Sequence, residues 1–323
     1  MKRGSDITVN DMAKDTANDT AATAKRTPPP PFIVRSPKGA QSAFIFAAPH
    51  SGRHYPDSMI RAAKLSPHLL RMSEDAYVDR LFATAPARGA SLLIATNARA
   101  YLDLNRGEAE LDPDMFRPVL DADSLDVTHR VKAGLGLIPK LVAEGITIYE
   151  DSLPAREAFH RINNVYRPYH DKLRALLEAR RNQFGHVVLV DCHSMPSEMP
   201  SARRRNRNMG PDIVLGDCWG ASCARELTSL AEELLIGAGF SVRRNVPYSG
   251  GFATQHYGAP NKGYHALQIE ISRNLYMDET TLEPLACFDE IEGKMAWFTD
   301  MLTREFARRI PAQSGKDIPR AAE

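Results

Sequence analysis

Two histidines occupy positions at which buried strands are expected to end. His193 follows the apolar run HVVLVD (186–191), within the stretch LVDCHSMP, and His50 follows SAFIFAA (42–48), within PHSGRHYP. A single histidine at a strand end is explained by a hydrogen bond to a backbone carbonyl. Two of them favour a zinc site, because neutral imidazole suits zinc and a catalytic zinc ion usually takes three protein ligands and a water molecule.

A third ligand is available in the stretch SEDAYVDRL, which offers Glu74, Asp75 and Asp79. Acidic side chains in the first turn of a helix also favour the helix dipole, so either acid alone has a purely structural explanation. Asp79 lies one helical turn after Asp75 and on the same face of the expected helix. The residues by themselves leave open whether Glu74 or Asp75 completes the metal site.

Glu270 lies between Ile269 and Ile271 in the apolar run HALQIEIS (265–272). A buried carboxylate is costly unless it is paired or functional. One interpretation is a structural ion pair with Arg273. The other is a general base that takes a proton from the water activated by zinc and then passes it to the leaving amine.

Several arginines accompany these groups and indicate an anionic substrate. Arg99 and Arg106 flank the segment Tyr-Leu-Asp-Leu-Asn, which ends at Asn105, and Arg273 follows the strand that carries Glu270. A guanidinium pairs with a carboxylate through two hydrogen bonds, so these arginines are candidates for binding a small carboxylate substrate. A solvated surface position or a structural ion pair is the alternative for each arginine taken singly.

Short apolar runs alternate along the chain with segments of helical periodicity. The predicted strands are 42–48, 91–96, 186–191, 212–216 and 265–272, and the predicted helices are 75–87, 154–183, 221–237 and 284–309. This alternation predicts an α/β fold with a largely parallel central sheet. Ligands bind at the carboxyl ends of the strands in such sheets, so the groups that follow the strands are expected to converge.

Composition excludes several classes of protein. The chain has 323 residues with 41 Lys and Arg against 40 Asp and Glu, so its net charge gives no reason to expect nucleic acid or a membrane as a partner. The four cysteines form no CxxC pair and suggest neither a zinc ribbon nor a disulfide framework. A reducing cytoplasm is therefore expected, and the polar N-terminus shows no apolar core of a secretory signal.

The ends of the chain differ in composition from its centre. Residues 1–31 are polar and end in four prolines, which predicts a disordered tail, and residues 311–323 are expected to be flexible. Residues 32–310 are expected to form a single α/β domain. The basic run at 202–207 is expected to be a solvated loop.

The chain resembles the N-formylglutamate amidohydrolase family in six stretches, in this order: PHSGRHYP, EDAYVDRL, TNARAYLDLNR, DCHSMP, PYSGGFATQHYG and HALQIEISRNLYMDE. The resemblance covers roughly residues 42–300. It implies a mixed, mostly parallel sheet flanked by helices, related to the zinc carboxypeptidases. It also implies a hydrolase with one zinc ion that cleaves N-formyl-L-glutamate to formate and glutamate, at the end of one route of histidine degradation.

The resemblance also implies roles for individual residues. His50 and His193 match the family's histidine ligands, and Asp75 matches an aspartate that the family's motif keeps just before V-D-x-L, with Glu74 as the alternative. Glu270 matches the catalytic acid and base.

The Asn105-Arg106 pair is similar to the pair with which zinc carboxypeptidases hold a substrate carboxylate, and Arg99 is expected to share that task. Arg53 stands where the carboxypeptidases have a glutamate ligand, so the acidic ligand is expected from elsewhere in the chain.

Three alternatives remain beside this interpretation. A cysteine or serine hydrolase would use Cys192 or Ser194, although Cys192 and His193 are adjacent and would point to opposite faces of a strand. A non-catalytic carboxylate-binding protein would explain the arginines but not Glu270 or the histidines. A zinc amidase acting on another N-acyl amino acid or on a peptidoglycan-type amide would use the same metal set. The sequence leaves the oligomeric state open.

Overall fold

The computed structural model describes residues 28–197 and 210–309. Its strands are β1 (Phe32–Arg35), β2 (Phe44–Ala48), β3 (Ser91–Ala95), β4 (Phe116–Arg117), β5 (Leu141–Ala143), β6 (Ile146–Thr147), β7 (Leu153–Pro154), β8 (Val187–Met195), β9 (Ile213–Gly216), β10 (Val242–Arg244) and β11 (Tyr264–Ser272). Its α-helices are α1 (Asp57–Ala62), α2 (Pro67–Leu70), α3 (Val78–Leu81), α4 (His129–Lys132), α5 (Ala155–Arg161), α6 (Arg167–Phe184), α7 (Arg225–Gly237), α8 (Phe252–Tyr257) and α9 (Phe288–Arg309).

Seven of these strands form one sheet in the order β1-β3-β2-β8-β11-β9-β10. Parallel pairing joins β2 to β3, β2 to β8, β8 to β11 and β9 to β10, whereas β1 on β3 and β9 on β11 are antiparallel. Two small sheets, β4-β7 and β5-β6, lie outside it. The predicted α/β fold, with a mixed and mostly parallel central sheet flanked by helices, is confirmed.

Side chains alternate between the two faces of the sheet and build an apolar core on each. On one face Phe44, Val190 and Ile269 pack with residues of α3, α7 and α9, and on the other face Ile45 and Leu189 pack with residues of α5 and α6. The central strands are buried on both sides, which explains why they appear in the sequence as unbroken apolar runs.

Three of the four predicted helical segments are helical with shifted bounds, and the fourth is helical only in part. The helix predicted over 75–87 is wrong, because only Val78–Leu81 is α-helical and a separate 3-10 turn covers Ala85–Arg88. Tyr77 takes a left-handed conformation with φ 65°, so the chain cannot be helical through that residue. Asp75 therefore lies in a turn before α3, and it is not in the first turn of a helix.

The remaining predictions are close to the observed elements. The helix expected over 154–183 is α5 and α6 joined by a π-helical segment, Ile162–Tyr166, and the last two helices begin later than expected. Strand β8 runs to Met195, so His193 lies inside it rather than after it. The edge strands β1 and β10 were not predicted.

The predicted tails and the basic run lie largely or wholly outside the described residues. Of the expected tail 1–31, only 28–31 are described, and neither 311–323 nor 202–207 is. The single-domain boundaries 32–310 stay a prediction. Among the described helices, none combines the length and the apolar character that a membrane-spanning segment needs.

Candidate active site

Strands β8 and β11 carry polar side chains at their carboxyl ends, on one face of the sheet. The parallel register pairs His193 with Glu270 and Asp191 with Gln268. These positions continue the alternation of the face that Leu189 shares, so the apolar core gives way there to ionisable groups. As expected, Cys192 faces the opposite way and is buried in the other core.

Three ligand atoms meet at this point. His50 Nδ1 lies 3.1 Å from Asp75 Oδ2, and His193 Nδ1 lies 3.0 Å from the same oxygen and 3.1 Å from His50 Nδ1. All three side chains are buried. The structure therefore brings together two histidines and an aspartate that are far apart in the sequence, in an arrangement that can hold a metal ion.

The protonation of the histidines tests whether a metal fits. His50 Nε2 lies 2.7 Å from Asp103 Oδ1 and His193 Nε2 lies 2.9 Å from Asp191 Oδ2, so the proton of each neutral ring belongs on Nε2. Both Nδ1 atoms and Asp75 Oδ2 then direct lone pairs toward one another, which is unfavourable unless a proton or a metal cation lies between them. Ligand atoms of a tetrahedral zinc ion lie about 3.3 Å apart, close to the observed separations, so these residues fit zinc.

The choice between Glu74 and Asp75 follows from what each carboxylate touches. Glu74 accepts hydrogen bonds from the Tyr55 hydroxyl at 2.7 Å and from Arg71 Nε at 3.3 Å, away from the histidines. Asp75 is held at the site by its own backbone, because its amide donates to the His50 carbonyl at 3.0 Å. Asp75 is thus the acid that faces both imidazoles.

Asp79, expected on the same helix face as Asp75, instead pairs with Arg53 at 2.9 Å. Arg53 occupies the position of the glutamate ligand in the carboxypeptidase pattern, and its guanidinium contacts Asp79 there rather than the three ligand atoms.

Carboxylates lie behind the two histidines, within hydrogen-bonding distance of Nε2 of each ring. Asp103 is buried, yet Arg106, Arg99 and His50 outweigh the effect of burial and hold the pKa of Asp103 well below its usual range. Burial lowers the pKa of His193, but Asp191 and Asp75 outweigh it and raise that pKa well above the ordinary value. Carboxylates in this position fix ring orientation and increase the basicity of a ligating imidazole.

Glu270 lies beside the three ligand atoms and makes no ion pair with Arg273 among the described contacts. Gln268 Nε2 donates a hydrogen bond of 2.8 Å to Glu270 Oε1, and the Gln268 oxygen accepts from the Gly251 amide at 2.7 Å. Burial, more than any other influence, raises the pKa of Glu270 to about 7. A carboxyl group with this pKa can both accept and release a proton near neutrality.

Arg273 contacts the ligand set and not Glu270. Its Nη2 donates to Asp75 Oδ1 at 3.1 Å, its Nε to the Ser194 hydroxyl at 3.2 Å and its Nη1 to the Met72 carbonyl at 3.1 Å. Arg273 thereby fixes the orientation of the Asp75 carboxylate, and most of its donors are already used by the protein.

The expected substrate-binding residues differ in how much of their hydrogen-bonding capacity is free. Asn105 donates to Asp191 Oδ2 at 3.2 Å and accepts from the Ala253 amide at 2.7 Å, so it connects the site to α8. Arg106 donates to the carbonyls of Leu135 and Asn105 at 2.7 and 2.8 Å. In Arg99 only Nε has a described partner, Asp103 at 3.0 Å, which leaves the end of its guanidinium available.

These groups line a cavity of about 910 Å³. Glu270, Arg99 and Tyr248 are among its lining residues, and the loop before α8 closes one side of it. Gly251 lies so close to Asn105 that an added Cβ would be 2.3 Å from its Nδ2. His256, which lies in α8, does not line this cavity and instead stacks on Phe252.

Two side chains at the site, those of Asp103 and Gln268, were not predicted from the sequence. Asp103 lies between the buried Leu102 and Leu104, which is the same signal that singled out Glu270 between two isoleucines. Gln268 precedes Glu270 by two residues in β11, so a strand places both on one face.

Comparisons with known proteins give a consistent result. A family model described as N-formylglutamate amidohydrolase matches residues 42–277. An N-formylglutamate deformylase of Pseudomonas putida is 32% identical over 243 residues, which is 73% of this chain and 82% of the relative. One from Pseudomonas aeruginosa is 29% identical over 249 residues, with coverage of 76% and 86%.

Two solved structures are also similar. The crystal structure of an N-formylglutamate amidohydrolase from Ralstonia eutropha JMP134 has a TM-score of 0.81 and 34% identity, and the match covers 86% of this chain and 99% of that one. A gene product of Agrobacterium tumefaciens, at 19% identity and a TM-score of 0.57, shares the fold over 87% of this chain and 96% of its own.

Proposed function

Because this chain belongs to the N-formylglutamate amidohydrolase family, we propose that it hydrolyses N-formyl-L-glutamate to formate and L-glutamate. The enzyme is a hydrolase that acts on a linear amide. The observation that carries the proposal is the convergence of His50 Nδ1, Asp75 Oδ2 and His193 Nδ1 beside the buried Glu270. The substrate is a small anionic N-acyl amino acid, which agrees with the arginines of the cavity.

His50, Asp75 and His193 would hold one zinc ion, and bound there it would supply Lewis acidity that lowers the pKa of water and polarises the formyl carbonyl. Asp103 and Asp191 accept hydrogen bonds from Nε2 of His50 and His193, which would leave Nδ1 of each ring to bind the metal. The family resemblance and the donor set support zinc.

Glu270 performs the proton transfers in this mechanism. It accepts the proton of the attacking water as the new C–O bond forms, and it returns that proton to the amide nitrogen as the C–N bond breaks. The products are formate and the free amine of glutamate. The hydrogen bond from Gln268 holds Oε1 of Glu270 and leaves Oε2 for this exchange.

Arg99 is the arginine best suited to the substrate's α-carboxylate, because the outer part of its guanidinium has no described partner and it lines the cavity beside Glu270. The other expected substrate-binding residues act on the site through its carboxylates. Arg106 binds Asp103, Asn105 binds Asp191 and Arg273 binds Asp75.

Cys192 is a poor alternative nucleophile. It is fully buried in the opposite core, and burial, followed by the charge of Asp191, raises the pKa of its thiol well above the ordinary value. Ser194 donates to Asp75 Oδ1 at 3.3 Å and accepts from Arg273, so its hydroxyl serves the ligand set.

Formate release from N-formyl-L-glutamate tests the proposal. The purified protein is assayed as prepared, after treatment with a chelator and after zinc is returned. Activity that disappears with the chelator and recovers with zinc is expected. A folded, zinc-loaded sample that releases no formate would refute the substrate, and activity that survives complete metal removal would refute the mechanism. The cytoplasmic location and the place in histidine degradation stay predictions.

A further inference from the structure

One arginine of the cavity has a side chain without a hydrogen-bond or ion-pair partner among the described residues. Arg130, on the short helix α4, lines the same cavity as Arg99 and Glu270. Among the described residues it has no side-chain hydrogen bond and no carboxylate within the 4.0 Å that defines an ion pair. The sequence analysis did not single it out, since it follows no strand.

Hydrogen bonds hold Arg130 in a fixed place relative to the site. The Thr128 hydroxyl donates to Glu110 at 3.1 Å, so α4 is tied to the segment that follows Arg106. The Leu135 amide donates to the Arg130 carbonyl at 2.8 Å, and the Leu135 carbonyl accepts from Arg106 Nε at 2.7 Å. The backbone of Arg130 is thus linked to Arg106 through a single residue, which fixes the point from which the Arg130 side chain reaches into the cavity.

Three guanidinium groups, those of Arg99, Arg106 and Arg130, line this cavity together with Asp103. Asp103 is shared by Arg99 at 3.0 Å and by Arg106 at 3.4 Å, and Arg130 adds a third guanidinium. Burial, the main cause, lowers the pKa of Arg106, and the positive charges of Arg99 and Arg130 add to this against the opposing charge of Asp103.

Besides Asp103, the charge of Glu110 also acts on Arg106, and this acid is bonded within the protein. Glu110 already accepts hydrogen bonds from the Gly107 amide at 2.7 Å and from Thr128 at 3.1 Å. A second anionic group would therefore be attracted to this half of the cavity.

N-formylglutamate carries two carboxylates at different distances from the scissile bond. Its α-carboxylate is attached to the carbon that bears the amide nitrogen and must lie near Glu270. Its side-chain carboxylate reaches about 4 Å farther along the chain of the substrate. Arg99 lies at the catalytic end of the cavity, because its Nε is 3.0 Å from Asp103 Oδ2 and the other oxygen of Asp103 is 2.7 Å from His50 Nε2.

We propose that Arg130 binds the side-chain carboxylate of the substrate and so makes the enzyme selective for N-acyl derivatives of acidic amino acids. This inference rests on the proposed function for the identity of the amide that is cleaved. The neutral analogue N-formyl-L-glutamine has the same shape but cannot form the charged, bidentate pair, and it leaves the guanidinium without a partner.

Selectivity is measured with zinc-loaded full-length protein. The ratio of kcat/KM for N-formyl-L-glutamate to that for N-formyl-L-glutamine is determined for the wild type, Arg130→Gln and Arg130→Lys. Arg130→Gln should lower kcat/KM for the glutamate substrate by about 10- to 100-fold, mainly through KM, and should change that for the glutamine substrate little. Arg130→Lys should keep part of the preference.

Lys132→Gln is the matched control, because Lys132 lies exposed on the same helix and is not among the residues that line the cavity. It should leave the ratio unchanged. An unchanged ratio in Arg130→Gln, or an equal loss on both substrates, would overturn the inference. Turnover of the glutamine substrate shows in the same experiment that the variant is folded.

Calorimetric titration with L-glutamate and L-glutamine separates this inference from the proposed function, because binding of these compounds requires no hydrolysis. Arg130→Gln should raise the Kd of L-glutamate about 10-fold and leave that of L-glutamine unchanged. If the variant shows this change in Kd but the wild type releases no formate, the deformylase activity is refuted and the carboxylate subsite is supported. A wild type that releases formate, together with an unaltered Kd for L-glutamate in the variant, would refute the subsite alone.

Discussion

His50 Nδ1 and His193 Nδ1 face each other at 3.1 Å, although the two residues come from different segments of the chain. One oxygen of Asp75 lies within 3.1 Å of both nitrogens. Since the other nitrogen of each ring is already matched to a carboxylate, this group of atoms is stable only with positive charge at its centre. The close approach of these three atoms identifies the candidate metal site, which none of the three residues does by itself.

The first prediction separates metal binding from proton transfer. His193→Ala should lose both the metal and the activity, whereas Glu270→Gln should retain the metal and lose about 10²- to 10⁴-fold in kcat, because only a proton-transfer group is removed. Metal content by atomic absorption and formate release are measured on the same samples. Full turnover by Glu270→Gln would contradict the mechanism, and so would a variant without His193 that keeps a full equivalent of metal.

The second prediction concerns Asp103. Replacing its carboxylate in Asp103→Asn should weaken metal binding about 10- to 100-fold, because His50 loses the anionic acceptor that fixes its tautomer. Competition with a chelating dye, in the absence of substrate, gives the affinity. Asp79→Asn is the control, since Asp79 binds Arg53 and not the histidines. Equal metal affinities in the two variants would show that Asp103 does not support the metal ligand.

The third prediction concerns the close approach of Gly251 to Asn105. Gly251→Ala places a Cβ where only 2.3 Å separates it from Asn105 Nδ2, so the asparagine must move away from Asp191. We expect a loss of about 1–3 kcal/mol in the free energy of unfolding and a clear fall in kcat. Urea unfolding and formate release measure these effects.

A glycine in a helix provides the control for that variant. Gly293 lies within α9 and nothing would meet an added Cβ within 4 Å, so Gly293→Ala should stabilise the protein slightly by its helix propensity. Gly251→Ala with wild-type stability and activity would mean that the loop can shift without cost.

The fourth prediction is a pH dependence of stability that arises from His170. This buried histidine lies 3.1 Å from the Leu104 carbonyl through Nε2 and 2.8 Å from the Tyr257 hydroxyl through Nδ1. Burial is the main cause that lowers its pKa to about 3 from 6.5. The unfolded chain therefore binds a proton below about pH 6.5 that the folded protein does not, and stability falls as the pH falls toward 3.

In that interval the protonation of this one histidine lowers the free energy of unfolding by up to about 1.4 kcal/mol per pH unit. The free energy of unfolding from urea titrations at pH 7, 6, 5 and 4 should therefore fall less steeply in His170→Gln than in the wild type. Parallel curves for the two proteins would show that His170 does not contribute to the acid sensitivity.

Much of the arrangement was predictable because strand ends are visible in the sequence. The apolar runs before His50 and His193 and the run around Glu270 were recognisable, and a parallel sheet brings the ends of its strands to one edge. Arg99 and Asn105 follow β3, so they are expected at the same edge of the sheet. The roles of these residues stay proposals, but their proximity is a property of the fold.

Other features depend on backbone conformation or on contacts between distant residues. The left-handed Tyr77 interrupts the predicted helix near its start, and no residue type near it signals such a conformation in a non-glycine residue. Asp103 meets His50 across 53 residues of sequence. The edge strands β1 and β10 have four and three residues, too few for a pattern of alternation to stand out.

Asp103 is shared between the two halves of the site. One oxygen faces His50 at 2.7 Å, and the other faces Arg99 and Arg106 at 3.0 and 3.4 Å. A metal ion held by His50 and an anion held by the arginines would therefore act on the same carboxylate from opposite sides. Their binding free energies are linked, and by thermodynamic reciprocity the metal must change the affinity for the substrate by the same factor as the substrate changes the affinity for the metal.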